Sequence, residues 1–218
     1  MALTPGEIID VYRRRAAHYD WTSKLFWLLG FRENRYRWLA VEALALSPGD
    51  TVVDIACGTG LNFPLIEERI GPRGRLIGVD ATDAMLDRAR ERVEREGWSN
   101  VELVESDAAT YEFQPGVDGI LSTCAITLVR EYDDVIARGA NALAPGGRLV
   151  VFDLKEPDRW PGWAIETYVA LSRAFAVTRD LGERRPWESI NRHFTVHAMT
   201  ELYAGAAYVA VGEKESRG

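Results

Sequence analysis

Three carboxylates and a pair of glycines are the residues of this 218-residue chain whose types and spacing could do chemistry. Asp54 lies inside the apolar run Thr51-Val52-Val53-Asp54-Ile55-Ala56, and Cys57-Gly58-Thr59-Gly60 follows it. Asp80 closes a second apolar run, residues 76–79, and Asp107 follows a third, residues 101–105. An unpaired carboxylate within an apolar strand is expensive. Asp54 therefore calls for backbone donors or a cationic ligand group. Glycines at 58 and 60 let a ligand come close to the backbone, and a helix starting there offers unpaired N–H groups. Asp80 stands 20 residues beyond Gly60, where an acid can accept hydrogen bonds from both hydroxyls of a ribose. Asp107 can reach an adenine amino group. Each acid alone is more often a helix cap or a solvated turn residue, but three at successive strand ends point to an adenosine-containing ligand.

Those acids need strands to present them. The β-branched and apolar runs predict strands at 51–56, 76–79, 101–105, 117–122 and 148–153. Helices are predicted between them at 61–70, 83–96 and 133–143, with Thr82 as a cap and Gly97 as a stop. Strands alternating with helices give a parallel sheet with right-handed crossovers. In such a sheet ligands sit outside the carboxyl ends of the strands, where strand order reverses. Upstream, Thr4-Pro5-Gly6-Glu7 is a capping signal for a helix reaching about His18. Residues 21–46 are aromatic-rich and read as mostly helical, stopping at Ser47-Pro48-Gly49-Asp50. Downstream, a helix is expected near 164–177, then strands at 194–199 and 207–211 that pair as an antiparallel hairpin.

The composition, 47% hydrophobic and 27% charged, suits one folded domain with a real core. No run approaches the roughly 20 apolar residues that cross a bilayer, and residues 1–10 lack the pattern of a signal peptide. Two cysteines, Cys57 and Cys124, and three histidines, His18, His193 and His197, form no metal-ligand set. These features lead to the expectation of a cytoplasmic protein without a metal site. The net charge of -7 argues against nucleic acid as a partner. Residues 1–40, however, hold seven basic and four acidic residues and eight of the 22 aromatics. A cationic, aromatic segment suits a lid over a pocket, peripheral contact with an anionic membrane, or both.

A dinucleotide-binding turn needs a small residue at the sixth position of G-x-G-x-x-G, and here that position is Phe63. This disfavours a reductase using NAD. The pattern Asp54-x-Ala56-x-Gly58-x-Gly60, with Gly78-Val79-Asp80-Ala81-Thr82-Asp83-Ala84-Met85-Leu86 and Leu143-Ala144-Pro145-Gly146-Gly147, instead resembles the S-adenosylmethionine-dependent methyltransferases of ubiquinone and menaquinone biosynthesis and their phospholipid N-methyltransferase relatives. Arg15-Ala16-Ala17-His18-Tyr19-Asp20 is similar to the N-terminal R-A-x-x-Y-D signature of that group. The resemblance implies a Rossmann-like, doubly wound α/β fold: a seven-stranded, mostly parallel sheet with an antiparallel C-terminal strand. It also implies S-adenosylmethionine as cofactor. By the same resemblance, Asp54, Ala56, Cys57, Gly58, Thr59 and Gly60 hold the methionine moiety and Asp80 the ribose. Ala81, Met85, Asp107 and Ala108 frame the adenine. Tyr19 covers the methionine end as part of a lid, and the stretch from Ser122 and Thr123 to Ala125 borders the point of methyl transfer.

One domain is expected, with residues 1–46 as helical lid, 47–153 as cofactor-binding core and 154–218 as acceptor-side helix and hairpin. Methyl transfer from a sulfonium asks mainly for alignment and desolvation. A base for the acceptor would come from His18, Tyr19, His193, His197 or Tyr203, with Tyr19 and His18 the catalytic candidates. The expected acceptor is lipophilic, a phospholipid headgroup amine in the first instance. The alternatives are a prenylated quinol, a soluble small molecule, or a non-catalytic module that binds adenosylmethionine to regulate a partner.

Overall fold

The computed structural model describes residues 4–20, 30–158, 160–163, 165–167 and 179–216. Seven strands form one sheet: β1 (Thr51–Ile55), β2 (Arg75–Asp80), β3 (Val101–Glu105), β4 (Val117–Thr123), β5 (Leu143–Leu154), β6 (Val196–Leu202) and β7 (Ala207–Glu213). Their order is β3-β2-β1-β4-β5-β7-β6. The first five strands run parallel, and β7 lies antiparallel to both β5 and β6. The fold is thus the mostly parallel, Rossmann-like α/β sheet that the sequence implied. The expected hairpin is present, and its second strand is the one that joins the sheet.

Among the described residues, six α-helices that are described from end to end flank the strands: α1 (Pro5–Arg15), α2 (Glu33–Ala43), α3 (Phe63–Ile70), α4 (Asp83–Glu96), α5 (Tyr132–Ala142) and α6 (Pro186–His193). Alternation along each strand sends side chains to opposite faces. Val52, Leu121, Val150 and Phe152 meet α2, α3 and α4 on one face. Val53, Ile55, Ile120, Val151 and Tyr208 meet α5 and α6 on the other. Strand β1 is buried from Val52 to Ile55 because helices cover both its faces.

Local signals explain most boundaries. Helix α1 carries a reciprocal capping box, Thr4 with Glu7, and Gly97 ends α4 in the left-handed conformation at φ 72°. Thr82 makes no side-chain cap to α4; its backbone N–H donates to Asp80 Oδ1 at 2.8 Å instead. Phe63 explains the departure from the dinucleotide pattern. A Cβ at Gly60 would lie 2.6 Å from its ring, and so would one at Gly78 on β2. The phenyl ring occupies the helix–strand gap that a small residue leaves open in a dinucleotide site.

Two expectations need correction, and others fall outside the described residues. Strand β5 begins at Leu143 and not at 148, because Val117 pairs with Leu143 across an irregular register and Gly146 N donates to Lys214 O at 2.8 Å. Helix α6, with Pro186 in its first turn, stands between the helix and the strands that were expected there. Of the aromatic-rich helical stretch, α2 is observed, whereas residues 21–29 lie outside the described residues, as does most of the expected helix at 164–177.

Candidate active site

The chain runs from β1 outward through β2 to β3, then returns to β4 on the other side of β1. The carboxyl ends of β1 and β4 therefore border the crevice where ligands bind in such sheets. A cleft opens there, with about 1090 Å³ free of protein atoms, mouth included. Its floor is the turn from Ala56 to Thr59. Ala56 and Gly58 both adopt positive φ, 53° and 56°. A Cβ on Gly58 would meet nothing within 4 Å, so the backbone faces open space.

Asp80 links this turn to β2. Its Oδ2 accepts the Gly58 N–H and its Oδ1 the Thr82 N–H, both at 2.8 Å. Burial pushes the Asp80 carboxyl up, and the two backbone donors pull it back. Each carboxylate oxygen keeps acceptor capacity beyond its one backbone donor, which fits a pair of vicinal hydroxyls. Asp107 is a turn residue that also lines the cleft: its Oδ1 accepts the Ala109 N–H at 2.9 Å.

Behind the floor lies a buried polar network that pattern reading missed. Asp54 is fully buried, and both its oxygens accept from Asn62 Nδ2, at 3.2 and 3.0 Å. Asn62 Nδ2 also donates to Thr123 Oγ1 at 3.0 Å. Arg37 of α2 donates to Asn62 Oδ1 at 2.9 Å, to Thr123 Oγ1, and to Glu33 at 2.7 and 2.9 Å. Arg37 is only 5% exposed, yet it borders the cleft. Burial, the largest single effect, would lower its pKa, but Glu33 together with Cys124 and Tyr19 turns the net shift upward. Burial raises Asp54 to about 7, against the opposing pull of Asn62 and then Arg37.

The N-terminal segment roofs the cleft with Ile8, Ile9, Tyr12 and Tyr19. The Tyr12 and Tyr19 rings are 6.1 Å apart and tilted by 53°. Burial raises the pKa of both phenols, so each keeps its proton near neutral pH. Two contacts latch the roof. Asp20 accepts from Thr59 Oγ1 and from Arg92 Nη2, each at 2.6 Å, and Arg92 Nε donates to the Thr59 carbonyl at 3.0 Å. Arg13 Nε bonds Asp83 Oδ1 at 2.9 Å, tying α1 to α4.

Of the residues singled out from sequence, Tyr19, Ala56, Cys57, Gly58, Thr59, Asp80, Ala81, Met85, Asp107, Ala108 and Thr123 line the cleft. Asp54, Gly60 and Ser122 stand behind its wall. Gly60 faces Phe63, and the Ser122 hydroxyl is buried within the sheet without a hydrogen-bond partner among the described residues. His18 is exposed and off the wall. His193 faces Asp133 at 3.2 Å and His197 faces the Phe194 carbonyl at 3.1 Å. Tyr203 packs on Phe31 and Trp160. The structure therefore gathers Tyr19 into the site and leaves the other base candidates outside it. Arg37, Asn62, Tyr12, Asp20 and Arg92 were missed. Glu33 and Arg37, four apart on one helix, were the visible trace of the network.

Comparison with known proteins agrees with this geometry. A family profile described as a methyltransferase domain matches residues 52–147. The chain is 30% identical over 211 residues to a ubiquinone/menaquinone biosynthesis C-methyltransferase of Pseudomonas fluorescens, covering 93% of this chain and 81% of that one. It is 32% identical over 118 residues to an arsenite methyltransferase of Halobacterium salinarum, covering 54% of this chain and 30% of that protein. A 37.1 kDa Streptomyces fradiae protein matches at 31% identity over 154 residues, covering 68% of this chain and 41% of that one, so the chain spans less than half of these last two relatives. Among solved structures, a SAM-dependent methyltransferase of Aquifex aeolicus superimposes with a TM-score of 0.58 at 20% identity, covering 81% and 88% of the two chains. Phosphoethanolamine N-methyltransferase 2 of Haemonchus contortus, in complex with S-adenosyl-L-methionine, gives 0.65 at 17% identity, covering 83% and 52%. These two share the fold.

Two outcomes follow from the site. A hydrogen bond to a charged group is worth about 1.5–3 kcal/mol. Asp80→Ala should accordingly weaken S-adenosylmethionine binding by about 10- to 150-fold in calorimetry, and unchanged affinity in a folded variant would remove Asp80 from the ribose site. The second outcome concerns Asp54, whose folded pKa of about 7 exceeds the ~3.9 of an unfolded chain. The native state keeps a proton that the unfolded chain releases, so this group favours folding most at low pH and its contribution fades as pH rises from about 4 to about 7. Denaturation of wild type and Asp54→Asn should show their stability difference moving in the variant's favour between about pH 5 and 7, then levelling. A difference that stays constant across that range would mean that Asp54 is ionised throughout.

Proposed function

Because the chain belongs to the S-adenosylmethionine-dependent methyltransferases, we propose that it methylates the headgroup amine of a phospholipid at the roofed end of the cleft. The observation that carries this reading is the composition of the roof. Ile8 and Ile9 are apolar, Leu128 and Val129 face the same cleft, and the Tyr12 and Tyr19 rings stand beside them. An apolar rim suits acyl chains, and aromatic faces attract a methylated ammonium group.

S-adenosylmethionine, when bound, supplies an activated methyl group on a sulfonium and its own leaving group. The chain's residues then have three tasks. Asp80 and the Gly58 backbone would hold the ribose side, and Ala81, Met85 and Ala108 would pack the base. Tyr12 and Tyr19 exclude water from the transfer point, with their phenols protonated and able to donate. An acceptor amine must be neutral to attack. A low-polarity cleft lowers an ammonium pKa, so entry beneath the roof favours the attacking form. No histidine lines the cleft among the described residues, and Glu131 is the carboxylate at its exposed rim.

C-methylation of a prenylated quinol is the second reading, favoured by the 30% identity that extends over 81% of the Pseudomonas enzyme. Peripheral contact with an anionic membrane would serve either acceptor. Arg14 at the end of α1 is exposed, whereas Arg13 is tied to Asp10 and Asp83. Trp21, Phe26 and Trp27 lie outside the described residues, and no helix among the described residues is long and apolar enough to cross a membrane.

The test supplies methyl-labelled S-adenosylmethionine with two acceptors in parallel: phosphatidylethanolamine vesicles containing phosphatidylglycerol, and a demethylated menaquinol in neutral micelles. Label in the lipid headgroup is expected, increasing with the anionic fraction at low salt. Label in the quinol alone would replace this reading with the second. Binding without transfer to any acceptor would favour a regulatory module.

A further inference from the structure

Strand β6 is the last strand of the sheet among the described residues, and nothing described covers its outer edge. From Val196 to Glu201 every residue is exposed, on both faces of the strand. Val196 is 51% exposed and Met199 36%. Its inner edge pairs with β7 over the whole length, Val196 with Glu213 through Leu202 with Ala207. One edge of its backbone is therefore fully paired, with the other half of its backbone groups directed outward. Edge strands usually carry a proline, a bulge or a lysine that blocks pairing. The sequence Val196-His197-Ala198-Met199-Thr200-Glu201-Leu202 has none of these.

The sequence is complementary to itself when read backwards. Two copies placed antiparallel about Met199 set His197 opposite Glu201 and Val196 opposite Leu202. Ala198 then meets Thr200, and the two Met199 side chains meet at the axis. Opposite charges and apolar pairs across strands are the combinations that stabilise antiparallel pairing. A slip of the axis to Thr200 would put Glu201 opposite Met199 and lose the match. Both ends of the His197–Glu201 pair are already oriented. Lys155 Nζ holds Glu201 Oε1 at 2.7 Å, and His197 Nδ1 lies 3.1 Å from the Phe194 carbonyl, so Nε2 can donate to the Glu201 of a second copy only when the ring is doubly protonated.

We propose that β6 is a homodimerisation edge, joining two copies of this chain by antiparallel β6–β6 pairing centred on Met199. A contact of this kind is isologous, as two-fold symmetry requires. It continues the sheet across the axis at the end farthest from β3, so the clefts of both copies stay open.

Sedimentation velocity of the full chain from about 1 to 100 µM tests this. Wild type should shift to twice the mass of one chain within that range. His197→Glu puts a carboxylate opposite Glu201 and should remain monomeric, as should Met199→Lys, which brings two cations together at the axis. His197→Lys sets a cation opposite Glu201 and should still dimerise. Cofactor affinity, read in parallel, reports whether each variant is folded. A monomeric wild type at 100 µM would overturn the proposal. So would a His197→Glu variant that dimerises like wild type, which would place the contact elsewhere, or association that appears only with vesicles or another protein.

Discussion

The guanidinium of Arg37 is the charge that the rest of the site depends on. A buried cation must be paired and hydrogen-bonded, because desolvating it is costly and leaving it alone is costlier. Its partners come from three separate parts of the chain: Glu33 one turn earlier, Asn62 ahead of α3, and Thr123 at the end of β4. Asn62 passes the link on to Asp54 in β1. One network therefore fixes α2 against the two strands that flank the crevice. It also resolves the problem of a carboxylate inside an apolar strand. Asp54 is buried against amide hydrogens, with a cation one residue further away, and is held up near neutrality.

With the floor fixed in this way, the cleft needs a wall and a roof. The wall is Asp80, whose two backbone contacts hold the Ala56–Thr59 turn and α4's start in one arrangement. The roof is α1 with Tyr19, and Asp20 secures it through Thr59 and Arg92. Thr59 thus serves through its side chain as an anchor for the roof, not as a polar contact in the cleft. Methyl transfer gains from such an enclosure because alignment and exclusion of water are the main services a protein provides.

The periodicity of the central strands and their helices was legible because each is a local matter. Asp80, Gly58 and the acids at successive strand ends were legible because they lie within motif distance of one another. Phe63 was legible as a departure from the dinucleotide pattern, and its ring packs against Gly60 and Gly78. What pattern reading missed was long-range. Arg37 meets partners 25 and 86 residues away, and Asp20 meets partners 39 and 72 away. No periodicity encodes such pairs. Helix α6 was missed because eight residues with two charges, a histidine and a proline start resemble a loop. Asp54 was expected to meet the cofactor's methionine end, yet Asn62 takes both its oxygens, and no single residue type near Asp54 announced this. His18 sits beside Tyr19 in sequence, but the turn at Ala16–His18 directs it to solvent.

The central claim, that the buried Arg37 network holds the site together, is tested most directly by a double-mutant cycle between Glu33 and Arg37 read by chemical denaturation. Removing one partner of a buried pair leaves the other charge stranded, so Arg37→Met should cost about 3–5 kcal/mol. Glu33→Met combined with Arg37→Met removes both charges and should recover part of that loss, giving a coupling well above the ~0.5 kcal/mol of an exposed helical pair. If Arg37→Met costs less than about 1 kcal/mol and shows no coupling to Glu33, the pair behaves like a surface contact and the network does not organise the site.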